Sequence, residues 1–207
     1  MSIKEEKQKI RERIWKLLEA KGVARFPFPI KGRIPNFEGS EIAAKRVREL
    51  EEWRRAKVIL ANPDHAQKKV REFALRDGKI LLMASPRLRS GYILINPKDV
   101  KGKESFASTI KGAFKYGKAL RELIKPDLII TGCVAVDPKS FYRLGKGGGY
   151  GDKEIREVAE KFGKVLVITT VHDLQLVEGI PHEEHDEKVD IIVTPTKVLK
   201  RKGSKDF

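Results

Sequence analysis

The chain has 207 residues, enough for one domain of ordinary size with a substantial core. Lys and Arg number 44 against 29 Asp and Glu, a formal charge of +15, which favours anionic partners such as nucleotides, polyglutamate tails or nucleic acid. The single cysteine, Cys133, excludes an intrachain disulfide and a cysteine-based zinc cluster, and no apolar run is long enough to span a bilayer, so the expectation is a soluble cytoplasmic protein.

Residues 3–21 predict a helix, with Ile3, Ile10, Ile14, Leu17 and Leu18 on one face and Gly22 as its stop. The bases between them, Lys7 and Arg11 included, read on spacing alone as a solvated face. Three prolines and a glycine in 25–36 forbid regular helix, leaving a crossing segment anchored by Phe26, Phe28 and Ile30. Ser40 is placed to cap a second helix over 41–55, with Ile42, Val47, Leu50 and Trp53 facing inward.

From 57 the pattern alternates. Short apolar runs at 57–61 and 79–83 flank a helix that Gly78 ends, the strand–helix–strand signal of a parallel sheet covered by helices. Further strands are expected at 92–95, 127–131, 133–136, 164–168, 172–177 and 189–193. Helices are expected over 105–124, over 153–162 with Asp152 as cap, and near 196–199. The basic tail from Lys200 is expected to fray. Cys133, without a partner in its apolar run, reads as a small core residue. His182, His185 and the neighbouring acids show no transition-metal ligand spacing. No repeat or linker divides the chain, so residues 1–207 form one domain with 1–56 as an N-terminal helical segment packed on it. The architecture implied is a three-layer α/β/α, Rossmann-like domain with a largely parallel sheet.

The stretch Arg143-Leu-Gly-Lys-Gly-Gly-Gly-Tyr-Gly-Asp152 concentrates the chemistry. Glycines let backbone N–H groups approach a ligand closely, and a helix N-terminus favours negative charge. With Arg143 and Lys146 beside it, this loop points to phosphate. It is not the dinucleotide fingerprint, because Tyr150 stands where the third glycine of G-x-G-x-x-G would be, and it is not a Walker loop.

These ten residues resemble the R-L-G-x-G-G-G-Y-Y-D signature of the 5-formyltetrahydrofolate cyclo-ligases. Lys7-x-x-Ile10-Arg11 resembles that family's N-terminal K-x-x-L-R, and Asp64, with Ala74-Leu75 and Gly78-Lys79 in register, resembles its acid-led segment ending in G-K. Val134-Ala-Val-Asp137 stands in the place of P-x-[VL]-A-F-D, and His185-Asp186 followed by Val189-Asp190 resembles the closing pattern. Departures are Gly151 for the second Tyr, Lys153 for the following Arg, Asp64 for a Glu, and no aromatic pattern over 83–97.

The resemblance implies an ATP- and Mg²⁺-dependent reaction converting 5-formyltetrahydrofolate, or a related formylated pterin, to 5,10-methenyltetrahydrofolate with release of ADP and phosphate. It implies Arg143 and Lys7 as catalytic groups. ATP phosphates fall to Lys7, Arg11, Arg143, Gly145, Lys146, Gly147, Gly148, Gly149, Tyr150 and Asp152, the substrate to Asp64 and Tyr150, and Mg²⁺ to Asp152. The alternative is a nucleotide- or RNA-binding module of the same fold that has lost the reaction, with RNA the secondary partner that the charge suggests.

Overall fold

The computed structural model describes residues 1–203, except for the Arg87 side chain. Helix α1 (Ile3–Ala20) starts at Ser2, whose hydroxyl accepts the Glu5 N–H at 3.2 Å, and ends before Gly22 at φ 67°. A two-stranded ribbon of β1 (Ala24–Arg25) and β2 (Asn36–Phe37) closes the strap between α1 and α2 (Ser40–Glu49), and α3 (Glu51–Arg55) follows. Next come β3 (Val58–Ala61), α4 (Lys68–Arg76), β4 (Ile80–Ala84), β5 (Tyr92–Ile95), α5 (Glu104–Ala107), α6 (Ile110–Tyr116), β6 (Lys118–Leu120) and β7 (Leu128–Thr131). The last third holds the hairpin β8 (Ala135–Val136) and β9 (Arg143–Leu144), then α7 (Tyr150–Phe162), β10 (Leu166–Thr170), β11 (Ile191–Val193) and β12 (Val198–Lys200).

Eight strands form the central sheet in the order β12-β11-β10-β7-β3-β4-β5-β6. The middle five are parallel, while β12 at one edge and β5 and β6 at the other are antiparallel. The central strands are buried on both faces, which is why they read as continuous apolar runs. Ile59, Leu81, Ile130 and Ile168 face one layer with Val47, Trp53 and Phe73 of the helices. Leu60, Leu82, Ile129 and Val167 face the other with Ile155 and Val158 of α7. Each such buried Leu or Ile stabilises the fold by about 1.5–3 kcal/mol. The mixed α/β class with a mostly parallel sheet is as expected.

Local expectations differ from the structure in several places. Along α1 the buried residues are Lys7, Arg11, Ile14, Trp15 and Leu18, while Ile3 is exposed. The reason is a third core cluster, in which Ile14, Trp15 and Leu18 meet Ile30 and Ile34 of the strap and Ala135 and Leu144 of the hairpin. Phe26 and Phe28 are exposed, so Ile30 alone of the three expected anchors is buried. The helix expected from 41 is broken at Leu50, starts on Gly39 rather than on a Ser40 cap, and leaves Ile42 half exposed.

The helix expected over 105–124 is α5, α6 and then strand β6. A Cβ on Gly112 would lie 1.9 Å from the Phe106 carbonyl oxygen, so the two helices meet backbone to backbone there, and Thr109 caps the second. Residues 173–175 are a 3-10 turn rather than a strand, because the His172 ring and the Gln175 side chain cap it reciprocally. The helix expected near 196–199 is strand β12, paired with β11. The frayed tail expected from Lys200 begins inside that strand, and residues 204–207 lie outside the described residues. No helix among the described residues is long and apolar enough to cross a membrane.

Candidate functional site

The site forms where α1, the β8–β9 hairpin and the start of α7 converge. A cavity of about 310 Å³ is lined by Lys4, Lys7 and Arg11 of α1, by Arg143 and the glycine loop, by Asp152 and Arg156 of α7, and by Glu183, His185 and Asp186. Lys4, Lys7 and Arg11 are spaced i, i+3, i+7, so they form one basic stripe on the helix face that also carries Ile14 and Leu18. Burial of that apolar end turns the stripe toward the glycine loop rather than toward water. Lys7 and Arg11 are each only 9 % exposed.

Arg11 donates from Nε to the Gly145 carbonyl at 2.7 Å, tying α1 to the loop. Lys7 Nζ lies 2.5 Å from Asp186 Oδ2, which also accepts the Glu183 N–H at 2.7 Å. These partners, acting against burial, hold the Asp186 carboxyl below the usual range. Burial lowers the Arg11 guanidinium, opposed by Asp186 and reinforced by Arg143.

Arg143 is almost fully buried. Its Nη1 donates to Asp152 Oδ1 at 3.0 Å and its Nη2 to the Gly132 carbonyl at 2.6 Å, while Nε has no partner. Burial disfavours its charge, but Asp152 together with Cys133 and Glu154 outweighs this and holds the guanidinium above its ordinary value. Asp152 is not the helix cap. Gly149 takes that place at φ 74°, and Asp152 sits in the first turn, where Oδ1 also accepts the Glu187 N–H at 3.3 Å.

The family-signature departure at 151 has a steric role. A Cβ on Gly151 would stand 2.7–2.8 Å from three atoms of the Arg143 guanidinium. The missing side chain is the space in which Arg143 lies. Gly151→Ala is therefore expected to displace the guanidinium from Asp152 and weaken binding of Mg-ATP by about tenfold or more, even though alanine is the better helix former. Calorimetric titration with Mg-ATP checks this, and an unchanged affinity refutes it.

Not every candidate lines the cavity. Lys146 and Gly148 are exposed, and the Tyr150 ring folds back over Gly148, where a Cβ would approach it to 2.8 Å. Asp64 lies at the turn after β3 and accepts the Asn62 side-chain amide at 2.7 Å. Burial pushes its carboxyl up, while Lys146, Arg71 and Arg143 pull it down. Buried Arg71 fixes that turn by donating to the Asn62, Asp64 and Ser108 carbonyls at 2.8, 2.7 and 2.9 Å.

Sequence motifs alone do not single out Lys4, Arg156, Glu183 or Glu154. Helical spacing carries a signal for two of them, since Lys4 is three residues before Lys7 and Arg156 four after Asp152. Glu154, buried on α7 beside Arg143 and Asp64, has its carboxyl pushed up to about 8, chiefly by burial. Among the described residues no group of three or more His, Cys, Asp or Glu is arranged to hold a metal ion. Mg²⁺ commonly needs only one or two carboxylates with phosphate oxygens and water. Asp152 Oδ2 accepts no hydrogen bond among the described residues, and Asp186 Oδ1 has only His185 Nε2 at 3.7 Å.

Residues 3–195 match the model of the 5-formyltetrahydrofolate cyclo-ligase family. The chain belongs to this family. It is 40% identical over 208 aligned positions to a methenyltetrahydrofolate synthase domain-containing protein of Bos taurus, covering 93% of this chain and 53% of that protein. The human protein of the same name is 39% identical over the same shares, so the chain spans about half the length of these curated relatives. The 5-formyltetrahydrofolate cyclo-ligase of Escherichia coli K12 is 40% identical over 76 residues, 37% of this chain and 40% of that enzyme. The solved structure of the Aquifex aeolicus 5,10-methenyltetrahydrofolate synthetase superposes with a TM-score of 0.60 at 21% identity, over 94% of this chain and 92% of the other. That of Mycoplasma pneumoniae gives 0.55 at 16%, over 90% and 97%. At such identities the structures speak for the fold alone.

Proposed function

We propose that this chain is an ATP- and Mg²⁺-dependent cyclo-ligase that converts 5-formyltetrahydrofolate, or a closely related formylated pterin, to the 5,10-methenyl form with release of ADP and phosphate. Family membership supports the reaction class. The observation that carries the reading is the cavity in which the basic stripe of α1 meets the glycine loop and the Arg143–Asp152 pair. Residues 1–56 belong to the same working unit in this reading, because α1 supplies one wall of the cavity.

Phosphoryl transfer asks a protein mainly for positioning and for neutralisation of charge. Lys7 and Arg11 bring cations to the polyphosphate from above. The free Arg143 Nε and the amides of Gly145 to Gly149 offer donors from below. Asp152 and Asp186 both line this cavity, and each has one carboxylate oxygen without a hydrogen bond, a donor set that fits Mg²⁺; these two residues would hold the cation, which would supply positive charge to offset that of the phosphates. Asp64 and Tyr150 stand on the substrate side. The formyl oxygen takes the γ-phosphoryl group as ADP departs; N10 then adds to the activated carbon, phosphate leaves and N10 loses its proton.

The test mixes protein, Mg-ATP and 5-formyltetrahydrofolate and follows the absorbance of the methenyl product alongside ADP. One ADP per product is expected, with Lys7→Ala slower by about a hundredfold because a phosphate-facing charge is lost. No product from folded protein with any formylated pterin, together with tight salt-sensitive RNA binding, sinks the proposal in favour of a binding module.

A further inference from the structure

The strands of the central sheet run outward from β3 in two directions, with β4, β5 and β6 on one side and then β7, β10, β11 and β12 on the other. The order reverses between β3 and β7. In open α/β sheets the crevice outside the carboxyl ends of such a pair of strands is where ligands bind. Gly132, just after β7, forms one lip of it, and the Gly132 carbonyl receives Arg143 Nη2 at 2.6 Å. The turn Asn62-Pro63-Asp64 after β3 forms the other.

Asn62 has no part in the reaction steps above. Its backbone N–H pairs with the Ile130 carbonyl at 3.2 Å, so strand geometry runs one residue past β3 and turns its side chain to the face of Leu60, the side of α7. That side chain is 7 % exposed. Its Nδ2 donates to Asp64 Oδ2 at 2.7 Å, and its Oδ1 is buried with no partner among the described residues. The Asp64 carboxylate accepts no other hydrogen bond among the described residues, which leaves its Oδ1 unspent. The backbone of the turn does not depend on this amide. Pro63 fixes its own φ, and Arg71 Nη1 donates to the Asn62 and Asp64 carbonyls at 2.8 and 2.7 Å. As a structural strut the amide is poorly used, since its bond to a charged group comes with an acceptor withdrawn from water.

We propose that Asn62 is a positioning residue, whose amide clamps one oxygen of Asp64 and so holds that carboxylate in the orientation that meets the formylated pterin in the β3–β7 crevice. This inference rests on the proposed substrate and on Asp64 standing beside it, and it adds the group that orients Asp64. Asn62 acts through Asp64 and not on the substrate itself. A carboxylate free to rotate must be ordered when the ligand arrives, and ordering it beforehand lowers that cost. Loss of the clamp therefore weakens substrate binding and leaves the chemical step unchanged.

The test is equilibrium titration of the full chain with 5-formyltetrahydrofolate, arranged as a double-mutant cycle. Asn62→Ala is expected to weaken binding by about tenfold, and so is Asn62→Asp, which keeps the shape of the side chain but loses the donor. In an Asp64→Ala background, itself weaker than wild type, either change should cost less than about a further twofold, because the group through which Asn62 acts is gone. A merely structural role would carry the full loss into the double variant. The rise in melting temperature with Mg-ATP should be the same in every variant, which shows that the fold and the phosphate side are intact. Full additivity in the Asp64→Ala background, or unchanged affinity in both Asn62 variants, overturns this inference and leaves the cyclo-ligase reading in place. If Asp64→Ala binds as wild type does, the substrate-side assignment of Asp64 and this inference fall together. If wild-type protein binds no 5-formyltetrahydrofolate, the proposed substrate falls with them.

Discussion

Arg143→Ala is expected to lower turnover by about 10³-fold and to abolish the rise in melting temperature with Mg-ATP. Two effects combine. The guanidinium is almost fully buried, so its removal strips positive charge from the phosphate side where little solvent can replace it. It also leaves Asp152 held only by the Glu187 N–H at 3.3 Å, and breaking a buried ion pair from one side costs about 3–5 kcal/mol. The second effect could unfold the protein, so Arg143→Lys is the companion variant. Lysine keeps the charge but cannot reach Asp152 and the Gly132 carbonyl together as the planar fork does. It should fold, and bind Mg-ATP about tenfold or more weaker. Thermal stabilisation by Mg-ATP that is unchanged in either variant rules out this location for the phosphates.

How much of this is legible in the sequence depends on whether a residue's role is set locally. The central strands are, because runs such as Leu128–Thr131 are buried on both faces and read as unbroken apolar stretches. The glycine loop is too, since the left-handed backbone at Gly147 and Gly149 needs glycine wherever it is placed. Lys7 and Arg11 are not legible by periodicity. Their spacing fits a solvated face equally well, and only the seating of Trp15 and Leu18 on the strap and hairpin turns that face inward. Resemblance to known motifs supplies what spacing cannot.

Asp152 shows the opposite failure. Its position before a helical pattern satisfies every local rule for a cap, yet the helix begins at Tyr150 because Gly149 can adopt the left-handed geometry that starts it. Gly151 reads in the sequence as a loss from the family signature. The structure makes it a steric requirement of the Arg143 conformation, a relation between residues eight apart that no local pattern displays. Glu154 escapes notice for a related reason. An acid on a charged helix is ordinarily solvated, and its burial follows from the docking of the neighbouring Ile155 and Val158 into the core.

That burial has a consequence measurable without any ligand. The Glu154 carboxyl rises from 4.5 to about 8 in the folded chain, chiefly through desolvation, with Arg143 opposing and Asp64 and Glu157 reinforcing the rise. The folded state therefore binds a proton that the unfolded chain has already released between those values. Stability tied to this group is fully present below pH 4.5 and is lost as pH rises toward 8, levelling off above it. Glutamine is a neutral mimic of the protonated acid and has no such dependence. Each tenfold change in proton affinity is worth about 1.4 kcal/mol, so Glu154→Gln should be more stable than wild type by on the order of 4 kcal/mol at pH 8 and nearly equal to it at pH 4. For a chain of this length that is a melting temperature higher by roughly 10 °C at pH 8. The measurement is thermal unfolding of both proteins across pH 4 to 9 without nucleotide or divalent cation. Parallel curves would mean that the carboxyl ionises normally, and that water or a small rearrangement of α7 satisfies it.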